Sequence, residues 1–261
     1  MSRLVRVWAA AVPPLAVVLA LLAAWEAASI VSRFPTYVLP RPSQIARELL
    51  HPGSLFWTHT WITLQETLIG FVIGSLVGLT LAIAIVLSPL IRRSIYPLIV
   101  LFQTVPKIVL APIFIIWFGY GLLPKEMLVV VLAFFPVTVD AIHGLTSMDP
   151  TLVDLLHSVS ASRWEILWKI QLPHSTPHIF SGLKVASTLS VIGAIVGEWA
   201  GANGGLGFLI LSSSAQLETV RMFSGVVAVS IIGLLLFYAV SRLEDWLLPW
   251  REKVEVRHPL G

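Results

Sequence analysis

From Ile69 to Leu87 the chain reads IGFVIGSLVGLTLAIAIVL, nineteen residues without a charge. A helix needs about 20 mostly apolar residues to cross the hydrocarbon layer of a bilayer. Within that layer every backbone N–H and C=O must find a partner inside the protein, and a helix supplies those partners from one segment. The run is therefore read as a transmembrane helix. Apolar stretches at about 8–31, 61–87, 95–118, 125–145, 176–200 and 222–245 give six spans in a single transmembrane domain over 1–261. Pro106, Pro112 and Pro136 are expected to break the third and fourth of them. Hydrophobic residues make up 57% of the chain and charged residues 12%, too little charge for a water-soluble domain. The expected fold class is an all-α integral membrane protein.

Short cytoplasmic loops retain an excess of Lys and Arg. With the N-terminus inside, ten such residues fall in cytoplasmic segments, among them Arg92, Arg93, Arg163, Lys169 and Arg242. Five fall outside: Arg33, Arg41, Arg47, Lys125 and Arg221. Both termini are accordingly expected in the cytoplasm, and the basic balance is explained without nucleic acid. The first span is not read as a secretory signal, because its apolar stretch is long, carries Pro13, Pro14 and Glu26, and lacks a clear small-residue cleavage site before Phe34. Cysteine is absent, which removes disulfides, thiolate nucleophiles and iron–sulfur ligation.

One polar island interrupts the oil: DPTLVDLLHSVSASRWEILWKIQLPHSTPHIFSG, Asp149 to Gly182. Asp149 before Pro150 is a helix N-cap followed by a first-turn proline, and Leu152, Leu155, Leu156 and Val159 make an apolar stripe at helical spacing. Ser160 to Ser162 is a small-residue break, and Ser162 with Glu165 forms a capping box that opens a second helix. Its stripe is Trp164, Leu167 and Trp168, and Leu172–Pro173 is expected to end it. Paired amphipathic helices either lie on a membrane surface or set their apolar face into a groove on a partner.

The residues alone leave both open; the spacing of the island carries a resemblance. Asp154, Leu155 and Leu156, then Ser160 after three residues, then Ile170, Leu172 and Pro173 after nine more, match the cytoplasmic loop of the membrane subunits of bacterial binding-protein-dependent ABC importers. That family's pattern is Glu-Ala-Ala, three residues, Gly, nine residues, Ile-x-Leu-Pro. This chain has Asp for Glu, two Leu for two Ala, and Ser for Gly at the turn, where a positive φ would carry a penalty. Leu39-Pro40-Arg41-Pro42-Ser43, Gln103-Thr104-Val105-Pro106, Ala111-Pro112, Trp117-Phe118-Gly119, Phe135-Pro136 and Gly182-Leu183-Lys184 follow in order. From about residue 38 onward the chain resembles the nitrate/sulfonate/taurine-type branch.

The resemblance implies a type I ABC importer permease fold in a bacterial inner membrane, with the helix pair as coupling helices at 149–175. It implies two ATPase subunits carrying ATP and Mg, an extracytoplasmic solute-binding protein, and a second copy of this chain. The coupling residues it implies are Asp154, Leu155, Leu156, Ser160, Arg163, Trp164, Leu167, Trp168, Leu172 and Pro173. No catalytic residue is expected in this chain, and no cofactor bound by it. Its glycine-rich run Gly201-Ala-Asn-Gly-Gly-Leu-Gly207 has no following Lys-Ser/Thr and is read as an outer turn or short re-entrant element. For the solute, Gly197 to Ala202, Gly205 to Ile210 and Met222-Phe223 resemble members that move thiamine-pyrimidine precursors or riboflavin more than sulfonate or taurine members.

Ionisable residues inside spans are candidate sites by default. Gln103, Lys107 and Glu198 are taken as pathway candidates; Glu26, Glu66 and, in a second reading, Glu198 are expected to reach water at outer ends. Lys184 is expected to snorkel toward the cytoplasm. His174 and His178 have metal-ligand spacing only on one helix, and Pro177 is expected to start a helix between them, so no metal site is expected. Gly70, Gly74 and Gly78 form a small-residue packing face whose partner the sequence leaves open. Two other function classes stand beside the importer. An ion-gradient-driven transporter or channel would work without a partner ATPase, and a membrane enzyme would need a His–carboxylate constellation that is not seen.

Overall fold

The computed structural model describes residues 3–32, 34–158 and 160–249, with the side chains of residues 3–11, Ser54, Pro150, Asp154 and His157 outside the described residues. All regular structure in the described residues is helical. In order the helices are α1 (Arg3–Val31), α2 (Pro42–Leu50), α3 (Ser54–Leu87), α4 (Pro89–Gln103), α5 (Leu110–Phe118), α6 (Leu122–Thr146), α7 (Pro150–Ser158), α8 (Arg163–Ile166), α9 (Leu172–Gly201), α10 (Leu206–Ala215) and α11 (Thr219–Leu247). Helices α1, α3, α6, α9 and α11 are long and apolar enough to cross a membrane. The pair α4 and α5, the latter entered through a 3-10 turn at Lys107–Val109, is bent by 88° and makes a sixth span only if both limbs count as one.

That bend corrects the expected straight span at 95–118. Pro106 brings no N–H to a helix and disfavours the α conformation at Val105, so α4 stops at Gln103. The other two prolines do not break anything. Pro112 sits in the first turn of α5, where its missing N–H is not needed, and α6 runs unbroken through Pro136.

The chain gathers into two compact units, one built from the chain up to Ile62 with Asn203–Ser230, the other from Thr63–Ala202 with the chain from Ile231 on. In the first unit, the Glu26 carboxylate of α1 accepts from the Ser43 backbone N–H (3.0 Å) and hydroxyl (2.8 Å) at the start of α2. Four N–H groups at a helix start lack partners, and a carboxylate there is favoured. Glu26 is therefore engaged rather than simply reaching water. The run after α9 turns at Gly205, whose φ of +103° suits glycine, into the short apolar α10. The Gly205 N–H donates to His59 Nδ1 at 3.0 Å, fixing this turn to α3.

In the second unit α6 and α9 form the most extensive helix pairing among the described elements. Leu128, Val129, Ala133, Val137 and Ala141 of α6 are buried with Ala186, Val191 and Ala194 of α9. The glycine face of α3 finds its partner here. A Cβ on Gly74 would stand 2.6 Å from the Val130 carbonyl oxygen, and one on Gly78 2.8 Å from that of Phe134, so the face packs on α6 of the same chain. Lys184 pairs with Glu244 of α11, a partner that the sequence did not reveal.

Candidate coupling loop and translocation site

The polar island folds as two helices joined by a defined turn. Asp149 Oδ1 accepts the Thr151 backbone N–H at 2.8 Å, and that bond holds the Asp149 carboxyl below the ordinary aspartate range. Helix α7 ends in a 6→1 bond from the Ala161 N–H to the Leu156 carbonyl at 3.0 Å, with Ser160 at φ +62° between them. This is the Schellman closure, in which the left-handed position is ordinarily glycine. The family motif's glycine falls at this position, so Ser160 adopts the glycine conformation and carries its strain.

The second helix opens on a two-way cap. Ser162 Oγ accepts the Glu165 N–H (3.2 Å), and Glu165 Oε2 accepts the Ser162 N–H (3.0 Å) and hydroxyl (2.9 Å). Instead of ending at Leu172–Pro173, the helix passes through a π turn at Leu167–Gln171 straight into α9. The wider turn accommodates a proline at the start of α9 without breaking the rod. His174 and His178 consequently share α9, with Pro177 inside it. His174 Nε2 lies 3.4 Å from Ser147 Oγ, and the His178 ring packs on that of His143.

The stripe read from spacing splits in two. Trp164 and Trp168 are 57% and 56% exposed, whereas Leu167 is fully buried and Ile166 nearly so. On α7, Leu155 is exposed, Leu156 partly buried, and the Asp154 side chain lies outside the described residues. Leu172 is partly covered and Pro173 exposed. Arg163, itself exposed, donates from Nη1 to the Leu87 carbonyl, the last of α3, at 3.4 Å. A basic side chain at a helix C-terminus satisfies an orphan carbonyl. No spacing rule could have found this contact, which joins residues 76 apart.

At the α4–α5 break a cavity of about 530 Å³ is lined by Gln103, Thr104, Pro106, Lys107, Phe135 and Leu189 among others. Lys107 Nζ donates to the Gln103 carbonyl at 3.2 Å and sits 4.6 Å from the centroid of the Phe135 ring. The cation is thus held by a carbonyl freed at the break and by a ring face. Glu198 is elsewhere: it is buried and accepts from Thr63 Oγ1 at 2.6 Å. Glu66 is equally buried and pairs with Lys125, so neither glutamate reaches water. Among the described residues no three His, Asp or Glu side chains gather as metal ligands.

Residues 70–253 match the family of binding-protein-dependent transport system inner membrane components. The chain belongs to this family. The permease is 37% identical to the formylaminopyrimidine transport permease protein ThiX of Halalkalibacterium halodurans, over 93% of this chain and 97% of that one. It is 29% identical to the taurine transport system permease protein TauC of Escherichia coli, over 90% and 88% of the two chains. Its fold resembles that of the inward-facing methionine ABC transporter MetNI, with a TM-score of 0.64, 20% identity, and coverage of 74% of this chain and 96% of that one. The protein is thus a multi-pass permease subunit of an ABC importer with the type I permease fold.

Proposed function

We propose that this permease carries a small heterocyclic solute of the thiamine-pyrimidine precursor class through a homodimer driven by two ATPase subunits. The solute arrives on an extracytoplasmic binding protein. ATP and Mg sit on the ATPases, and this chain converts their closure into movement of its spans. The observation that carries the reading is the surface bearing Trp164 and Trp168, two exposed indoles on a helix pair fixed by an N-cap, a Schellman turn and a capping box. Large aromatic side chains left in water on a rigid element are the anchors expected of an interface. The excess of Lys and Arg on that side supports a cytoplasmic position for the loop, with both termini inside. Greater identity to the formylaminopyrimidine permease than to the taurine and riboflavin permeases supports the solute class. The cavity at the α4–α5 break, lined by Gln103 and Lys107, supports both as solute-pathway residues.

Two experiments test this. Copurification of the ATPase with the permease should be lost in Trp164→Asp and in Trp168→Asp; retention in both would sink the docking reading. Reconstituted complex with its binding protein should take up a formylaminopyrimidine in preference to riboflavin or taurine, and equal or reversed preference would remove the solute class.

A further inference from the structure

Three ionisable side chains from three different spans meet inside the helix bundle. Glu66 of α3, Lys125 of α6 and Glu198 of α9 are each at least nine-tenths buried. Lys125 Nζ donates to Glu66 Oε1, and Thr63, one turn before Glu66 on α3, donates to Glu198 Oε1. Thr63 thus holds Glu198 against α3 one turn from Glu66, whose other oxygen, Oε2, has no hydrogen-bond partner. The helices are pressed together at this level, since a Cβ on Gly197 would stand 3.1 Å from Lys125 Cα.

Around Glu66 the charges do not balance: it faces one ammonium, and the other charged groups beside it, Glu198 and the partly exposed Glu126, are acidic. Two bare carboxylates side by side in a dry interior repel, and a hydrogen bond between them needs a proton. The helix ends add to this. Lys125 lies in the first turn of α6, where a cation is unfavourable without an acidic partner, and Glu198 lies in the last turn of α9, where a negative charge faces unpaired carbonyls.

We propose that Glu66, Lys125 and Glu198 form a buried proton-binding site, one proton being held between the two glutamates while the ammonium balances the remaining negative charge. The site is neutral as a whole and ties α3, α6 and α9 together. It depends neither on the solute nor on how the ATPase docks.

Infrared spectroscopy of the purified complex in liposomes reads such a proton directly, as a carboxylic-acid C=O band that shifts in D₂O. The wild-type complex should show the band, and both Glu66→Gln and Glu198→Gln should abolish it. In either variant the surviving carboxylate pairs with Lys125 and needs no proton. Lys125→Met should strengthen the band, because both carboxyls then carry one. Absence of the band in the wild type overturns the proposal without any variant having to fold. Survival of the band in either glutamine variant, or an unchanged band in Lys125→Met, overturns it as well.

Discussion

Widening the seam between α3 and α6 by a single methyl group is a direct test of how the permease is held together. An alanine at position 74 places its Cβ 2.6 Å from the Val130 carbonyl oxygen and 2.8 Å from Ala133 Cβ. Both obstacles belong to α6 and one is backbone, so no rotamer change relieves them, and the helices must part by roughly 0.5–1 Å. Separation of that size forfeits about a quarter to a half of each dispersion contact along the seam. Overpacking of this kind costs about 1–3 kcal/mol, and at about 1.4 kcal/mol per tenfold the folded-to-unfolded ratio of Gly74→Ala should fall between several-fold and about a hundredfold. Valine at the same position should cost more. Gly53→Ala is the matched control, since its Cβ would meet nothing within 4 Å. The assay is denaturant titration of the purified permease in micelles, followed by tryptophan fluorescence. Equal midpoints for Gly74→Ala and Gly53→Ala would refute the packing argument.

Other outcomes follow from the coupling loop. Ser160→Gly should stabilise the loop, since a non-glycine left-handed residue costs about 1–2 kcal/mol and glycine's extra freedom when unfolded offsets only part of this; slower amide exchange at Ala161 would register it, and faster exchange would contradict it. Leu167→Ala should destabilise the permease itself by about 2–5 kcal/mol as a buried truncation, whereas Trp164→Ala and Trp168→Ala should leave its melting unchanged and weaken only ATPase binding. Asp149, whose carboxyl is held low by the Thr151 N–H, contributes to the start of α7 above the ordinary aspartate range and loses that contribution as pH falls through its lowered folded value. Amide exchange at Thr151 should therefore accelerate on acidification in the wild type and be pH-flat, once intrinsic rates are removed, in Asp149→Ala.

Local signals were legible from the residues alone. Asp149–Pro150 and Ser162–Glu165 announced helix starts because caps act within four residues, and long apolar runs announced spans because the bilayer fixes their length. What the sequence concealed lies across elements. Lys184 was paired with Glu244, 60 residues away, and Glu66 with Lys125, 59 away, distances at which no periodicity speaks. The stripe Trp164, Leu167, Trp168 misled for a subtler reason: a π turn starts at Leu167, so ordinary helical spacing no longer assigns these residues to one face. Prolines were read too uniformly, since Pro106 breaks the chain while Pro112 and Pro136 are absorbed.

The unbroken passage from α8 through the π turn into α9 turns 39 residues into one rod, Arg163 to Gly201. At about 1.5 Å per residue such a rod is about 58 Å long, so a tilt of about 5° at its foot displaces the far end by about 5 Å. The foot carries the two indoles, and Glu198 rides near the tip. With no slack loop between them, the docking proposed for the indoles would turn a small angular step there into a stroke as wide as a small molecule at the opposite end, a crank with its gearing set by helix length.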